Sequence, residues 1–185
     1  MVLDPQMKRV LDAIAAAGDP DICTLSPAEA RRLSAQRPLP KGPEAAIENR
    51  RIPGPGGELS IRIYRPLDRP GLLGGLVYFH GGGFVTGDLD RHDPLCSQLA
   101  VDAGCVVVSV DYRLAPEHKF PAAVDDAYIA TSWVHENADE IGVDHTRIAV
   151  GGDSAGATLA TVVARLAKER RNPALVFQLL VYPVT

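Results

Sequence analysis

The chain has 185 residues, of which 46% are hydrophobic and 23% charged, with a formal net charge of -4. That is enough apolar material for one packed domain and too much for a disordered chain, and the acidic balance without a basic cluster excludes a nucleic-acid footprint or a polybasic membrane patch. Three cysteines, Cys23, Cys96 and Cys105, without C-x-x-C spacing imply neither a disulfide framework nor a zinc knuckle, and fit a reducing, cytoplasmic setting.

At the N-terminus Met7, Val10, Leu11 and Ile14 recur at i, i+3, i+4, i+7, which predicts an amphipathic helix over Pro5 to Ala17 whose stripe should cover something. Asp4 and Asp12 interrupt this stretch, so it lacks a signal-peptide core and is too short to span a bilayer, and no stable membrane insertion is expected. Ser26, Pro27 and Glu29 form an N-cap, first-turn and capping-box series that predicts a second helix over Pro27 to Gln36. The proline-rich "RPLPKGP" (37 to 43) then marks a boundary between an N-terminal helical segment, 1–42, and a β-rich body, 43–185.

In "AIENRRIPGPGGELSIRIYRP" two strands flank a Pro/Gly turn, and Leu59, Ile61 and Ile63 alternate with Ser60, Arg62 and Tyr64 as in a half-exposed antiparallel pair. The runs "GGLVYFH" (74 to 80), "CVVVSVDY" (105 to 112), "RIAVGG" and "LVFQLLVY" (175 to 182) are nearly continuously apolar, as parallel strands buried on both faces are. Helical stretches at Asp93 to Ala103, Pro121 to Asn137 and Ala155 to Arg170 separate them, which gives an α/β fold with right-handed crossovers and a mostly parallel sheet. The last strand, apolar on both faces, presents an edge through which copies of the chain are expected to self-associate.

Two glycine-rich turns carry the chemistry. Gly152, Ser154 and Gly156 make G-x-S-x-G between a strand and a helix, an elbow so sharp that the residues two positions either side of the serine must approach closely. The elbow leaves the hydroxyl proud of the sheet and sets the Ala155 amide at a helix N-terminus, where it can meet a developing oxyanion. After the first apolar strand comes "HGGGFVTGD" (80 to 88), whose bare backbone N–H groups suit an oxyanion or a phosphate. It lacks the Lys-Ser/Thr ending of a P-loop and the G-x-G-x-x-G spacing of a dinucleotide fingerprint, so two oxyanion elements acting together explain the pair better.

These residues resemble the hormone-sensitive-lipase-like branch of the α/β-hydrolases, the type IV bacterial esterases, through "HGGGF" (80 to 84), "DYRLAPEHKFPAAVDDA" (111 to 127) and "GDSAG" (152 to 156). The resemblance implies the N-terminal portion of an α/β-hydrolase fold and a carboxylic-ester hydrolase acting through an acyl-enzyme on a small-molecule ester. It implies Ser154 as nucleophile and the amides of Gly82, Gly83 and Ala155 as oxyanion hole. His80, Gly81, Gly152, Asp153 and Gly156 would support the motifs, His80 as an orienting residue and not as the general base. The N-terminal helices would form a cap over the acyl pocket, and neither metal nor organic cofactor would be needed. Arg113, Glu117 and His118 would act as a structural clamp.

Asp125 and Asp126, about 100° apart on a helix, do not suit a shared-proton dyad and are expected on a solvated face. His92, His135 and His145 lack paired-ligand spacing, so no metal is expected.

A serine nucleophile needs an imidazole held by a carboxylate, and in α/β-hydrolases these follow in the order Ser, Asp or Glu, His. The residues after Ser154 contain Glu169 as their only acid and no histidine. The chain therefore reads as the N-terminal part of an esterase, with activity alone not expected. The alternative is a non-catalytic ligand-binding or remnant domain that keeps the pocket without the charge relay.

Overall fold

The computed structural model describes residues 3–18, 20–21 and 24–184; Cys23 and Thr185 lie outside them. Helices α1 (Pro5–Ala17) and α2 (Pro27–Gln36) lead into strands β1 (Ala46–Gly54), β2 (Gly57–Arg65) and β3 (Leu73–Phe79). Helix α3 (Leu89–Ala103), strand β4 (Val106–Val110), helix α4 (Ala122–Glu136), strand β5 (Val143–Asp153), helix α5 (Ala155–Arg170) and strand β6 (Phe177–Val181) follow. The strands form one sheet in the order β1-β2-β4-β3-β5-β6. β1 and β2 make an antiparallel hairpin and β2 joins β4 antiparallel, while β4, β3, β5 and β6 run parallel, as the alternation of apolar strands and helices requires.

Both faces of the sheet are covered. Val106, Val108 and Val110 of β4 point into the larger core with α4 and α5, whereas Val107 points into the smaller one with Cys96 and Ala100 of α3. A strand in this position sees no water on either side, which is why β4 needs no polar alternation. The same covering corrects the half-exposed reading of β2: Leu59, Ile61 and Ile63 enter the larger core, but Tyr64 on the other face is also buried, under α3, and its hydroxyl donates to Asp93 Oδ1 at 3.1 Å.

Helix α3 begins at Leu89, four residues before the expected Asp93. Asp88 caps it by accepting from the Arg91 amide at 2.7 Å, and Pro94 sits inside the second turn, where it removes one backbone donor without ending the helix.

The two N-terminal helices differ. α1 is closed by an Asp4 cap and a left-handed Gly18, yet it buries no residue, with Met7 at 49% and Ile14 at 55% exposure. The stripe is about half exposed, and the helix is held by its own caps and the Lys8–Asp12 pair. α2, with the Ser26–Glu29 capping box, does dock, through Ala30 and Arg31.

Among the described residues no helix is long and apolar enough to cross a membrane. β6, an outer strand among the described residues, exposes Phe177 (62%), Leu180 and Val181.

Candidate active site

β3 and β5 lie side by side, with Phe79 opposite Gly152, so the turns following both strands emerge at the same end of the sheet. In open α/β sheets ligands bind outside the carboxyl ends of the strands. There the structure brings the His80–Gly83 turn against the Gly152–Gly156 elbow: the Gly81 amide donates to Asp153 Oδ1 at 3.0 Å.

Ser154 is the hinge of the elbow. It holds φ 50° and ψ -118°, a strained conformation for a residue with a side chain, and it caps α5. Its amide donates to Val181 O of β6 at 2.9 Å, which anchors the turn from the far side. A Cβ on Gly156 would overlap the carbonyl oxygens of Phe79 and His80, and one on Gly152 the Phe79 oxygen and Gly156 backbone, so the close approach read from the motif is present. Ala155 is buried at the first helical position, and its N–H is among those a helix leaves unpaired. Among the described residues no hydrogen bond reaches Ser154 Oγ.

The glycine loop curls back on itself. Gly82 has φ 125°, Gly83 φ 62° and Phe84 φ 63°, and the Gly82 carbonyl accepts from both Val85 N (3.0 Å) and Thr86 N (2.9 Å). That carbonyl is thereby turned into the loop, while the Gly81 amide is taken up by Asp153. Gly83 and Phe84 line an apolar cavity of about 390 Å³ with Phe120, Val124, Thr158 and Leu159, where Thr158 lies one turn beyond Ser154 on α5.

Asp153 organises this end of the sheet. Its carboxylate accepts from Tyr78 OH at 2.8 Å, Gly81 N, and Tyr182 OH at 3.2 Å, with His92 Nε2 at 3.4 Å. Burial by itself would raise this carboxyl, but the hydrogen bonds from His92, Tyr78 and Gly81 outweigh it and hold it at about 2.

His80 is fully buried, stacked on Tyr112 with ring centroids 4.3 Å apart, and its Nδ1 lies 2.8 Å from Gly81 O. Since a carbonyl only accepts, Nδ1 carries the proton and Nε2 is left without a partner. Burial lowers this imidazole to about 4, despite the Gly81 carbonyl, so it is neutral near pH 7. Tyr112 OH donates to His80 O at 2.6 Å, which ties β4 to the start of the loop.

Other polar residues have structural partners. Arg113 grips Asp126 with Nε–Oδ2 and Nη2–Oδ1 contacts of 2.8 Å each, and its amide adds a third bond at 2.9 Å. Asp126, expected on a solvated face, is 1% exposed, because Arg113 supplies the counter-charge that makes burial affordable. No motif assigns a role to Tyr78, His92 or Tyr112. For His92 a local signal exists: Asp88 as N-cap puts it in the first turn of α3, next to the loop. Among the described residues no group of three or more His, Cys, Asp or Glu side chains could hold a metal.

The profile of the family described as the alpha/beta hydrolase fold matches residues 76–185. The chain is 48% identical to the esterase LipI of Mycobacterium tuberculosis, over 99% of this chain and 57% of the relative, and 45% identical to that organism's carboxylesterase NlhH over the same shares. Among solved structures, an ester-hydrolase from the metagenome of Lake Arreo superposes with a TM-score of 0.92 at 41% identity, covering 100% of this chain and 61% of that one. The hyperthermophilic esterase from Pyrobaculum calidifontis gives 0.86 at 44% identity, covering 100% and 60%. The chain thus spans less than two thirds of the length of these relatives. Continuous similarity from the N-terminal helices through the elbow means that the chain belongs to the alpha/beta hydrolase fold family, in its hormone-sensitive-lipase-like branch.

Proposed function

We propose that the chain is the nucleophile-bearing part of a serine carboxylic-ester hydrolase acting on small-molecule esters. The observation that carries this reading is the positive-φ Ser154 on a strand-to-helix elbow, directly beside a glycine loop on the neighbouring strand. In this reading Ser154 Oγ attacks the ester carbonyl, and the oxyanion that forms takes hydrogen bonds from the amides of Gly82, Gly83 and Ala155. The alcohol leaves, and water releases the acyl group. The apolar cavity beside Gly83 and Thr158 takes an uncharged part of the substrate. The imidazole and its carboxylate are supplied by sequence outside these 185 residues. Residues 1–42 act as an N-terminal cap whose working contact is α2, and neither metal nor cofactor takes part.

The alternative reading is a ligand-binding domain that keeps the pocket without hydrolysis.

A chimera separates the two. The 185 residues are joined to the remainder of the 48%-identical mycobacterial esterase, and p-nitrophenyl butyrate hydrolysis is measured for the chain, the chimera and their Ser154→Ala variants. The chain alone should give faint turnover that Ser154→Ala leaves nearly unchanged, within the roughly 10³ to 10⁴ over water that binding and an oxyanion hole supply. The chimera should reach ~1 s⁻¹ or more and lose roughly a million-fold on Ser154→Ala. A folded but inactive chimera would support the binding reading. Ordinary, Ser154-dependent turnover by the chain alone would assign the base to one of its own histidines, His80 or His118 first, and refute the division between segments.

A further inference from the structure

Arg31 of α2 is part of no motif, yet all three of its guanidinium nitrogens are engaged across the chain. Nε donates to Val85 O at 2.7 Å, Nη2 to Ala115 O at 2.8 Å, and Nη1 and Nη2 make a bidentate pair with Glu117 at 2.9 and 2.8 Å. The carbonyls it holds belong to two different loops. Val85 follows Gly83 and Phe84, and Ala115 precedes His118 and Phe120; these four residues and Ala115 wall the apolar cavity. Among the described residues the loops meet each other directly in one backbone bond, Ala115 N to Phe84 O at 2.8 Å. Beside that bond the guanidinium is a rigid fork that spans both, fixing the distance between the walls.

The geometry points to Arg31 as a positioning residue that couples α2 to the cavity, setting the placement of the 82–86 loop against the 113–120 loop. It touches no reacting atom, and acts through the carbonyls of Val85 and Ala115. The Glu117 carboxylate, pulled down to about 2 chiefly by its hydrogen bond to Arg31, keeps the guanidinium aimed throughout the neutral range. This role holds whichever ligand fills the cavity, and its test needs no turnover, so it can fail while the hydrolase reading stands, and the reverse.

Hydrogen exchange followed by mass spectrometry on the 185-residue protein tests it with two substitutions. Arg31→Met keeps the stem and removes every donor. Arg31→Lys keeps the charge opposite Glu117, but three donors on one nitrogen cannot reproduce the four bonds that Arg31 makes from three separated nitrogens. Arg31→Met should speed exchange about 10-fold or more in peptides covering 82–87 and 113–120, with β4 and α5 unchanged, because charge-assisted hydrogen bonds held those segments closed. Arg31→Lys should recover the thermal midpoint but not the protection of the two loops.

The proposal is overturned if Arg31→Met leaves both loops protected, or if exchange rises equally in β4 and α5. It is also overturned if Arg31→Lys restores full protection, which would reduce the role to a structural ion pair. Should Arg31→Met not fold, the lysine variant decides by the same criterion.

Discussion

The buried His80 makes stability depend on pH in a defined window. In the fold its imidazole is held at about 4, against 6.5 when free, because burial strips the charged form of water: Tyr112 lies flat on one side and Nε2 has no hydrogen-bond partner. Between those values the unfolded chain binds a proton that the folded chain refuses. The unfolded state holds more protons there, so stability falls as the pH drops from 6.5 to 4. At ~1.36 kcal/mol per unit the loss is on the order of 3 kcal/mol, a large share of the ~5–15 kcal/mol that holds a domain together. Below that window Asp153, at about 2 in the fold, adds a second loss as its carboxylate is protonated. Urea unfolding from pH 7 to pH 4 measures the first effect, and His80→Asn, which keeps a donor for Gly81 O and does not titrate in this range, should remove that part of the slope. A folded-state imidazole titrating near 6.5 by NMR, or an unchanged slope in His80→Asn, would refute the argument.

Two further outcomes test the architecture. Gly156→Ala should destabilise the chain by about 1–3 kcal/mol or more, since its Cβ would meet the backbone oxygens of Phe79 and His80 and neither can step aside; a urea midpoint within error of the parent would contradict the elbow geometry. The unpaired edge of β6, with Phe177 and Val181 exposed, should pair with a second copy, so light scattering at micromolar concentration should report dimers or larger species, and Phe177→Lys with Val181→Lys should shift them toward monomer; a monodisperse parent would set self-association aside.

The elements that sequence patterns revealed best are those whose chemistry is local. The capping box of α2 and the first residue of α5 lie where Ser26–Pro27–Glu29 and the glycine-serine elbow place them, because a cap or a sharp turn is decided within a few residues. The glycine turns were legible for the same reason, and their meeting followed from β3 and β5 being parallel neighbours. Periodicity, by contrast, names a face without naming its partner. It marked the stripe of α1 but could not tell that the stripe stays half exposed, and it showed Tyr64 as an outward position without showing α3 above. Asp126 reads as solvated because its partner Arg113 is 13 residues away around a loop, and Arg31 carries no local signal because its acceptors lie 54, 84 and 86 residues along the chain.

The single carboxylate of Asp153 serves donors from β3, the glycine loop, α3 and the segment after β6, and that shared use governs which amino-acid changes the molecule can tolerate together. Replacing Tyr78, His92 or Tyr182 alone leaves the others to redistribute over the same two oxygens, whereas replacing Asp153 strands all of them at once. Effects at these positions should therefore be epistatic. A library that randomises the residue before the serine without also varying 78, 92 and 182 would sample mostly broken combinations.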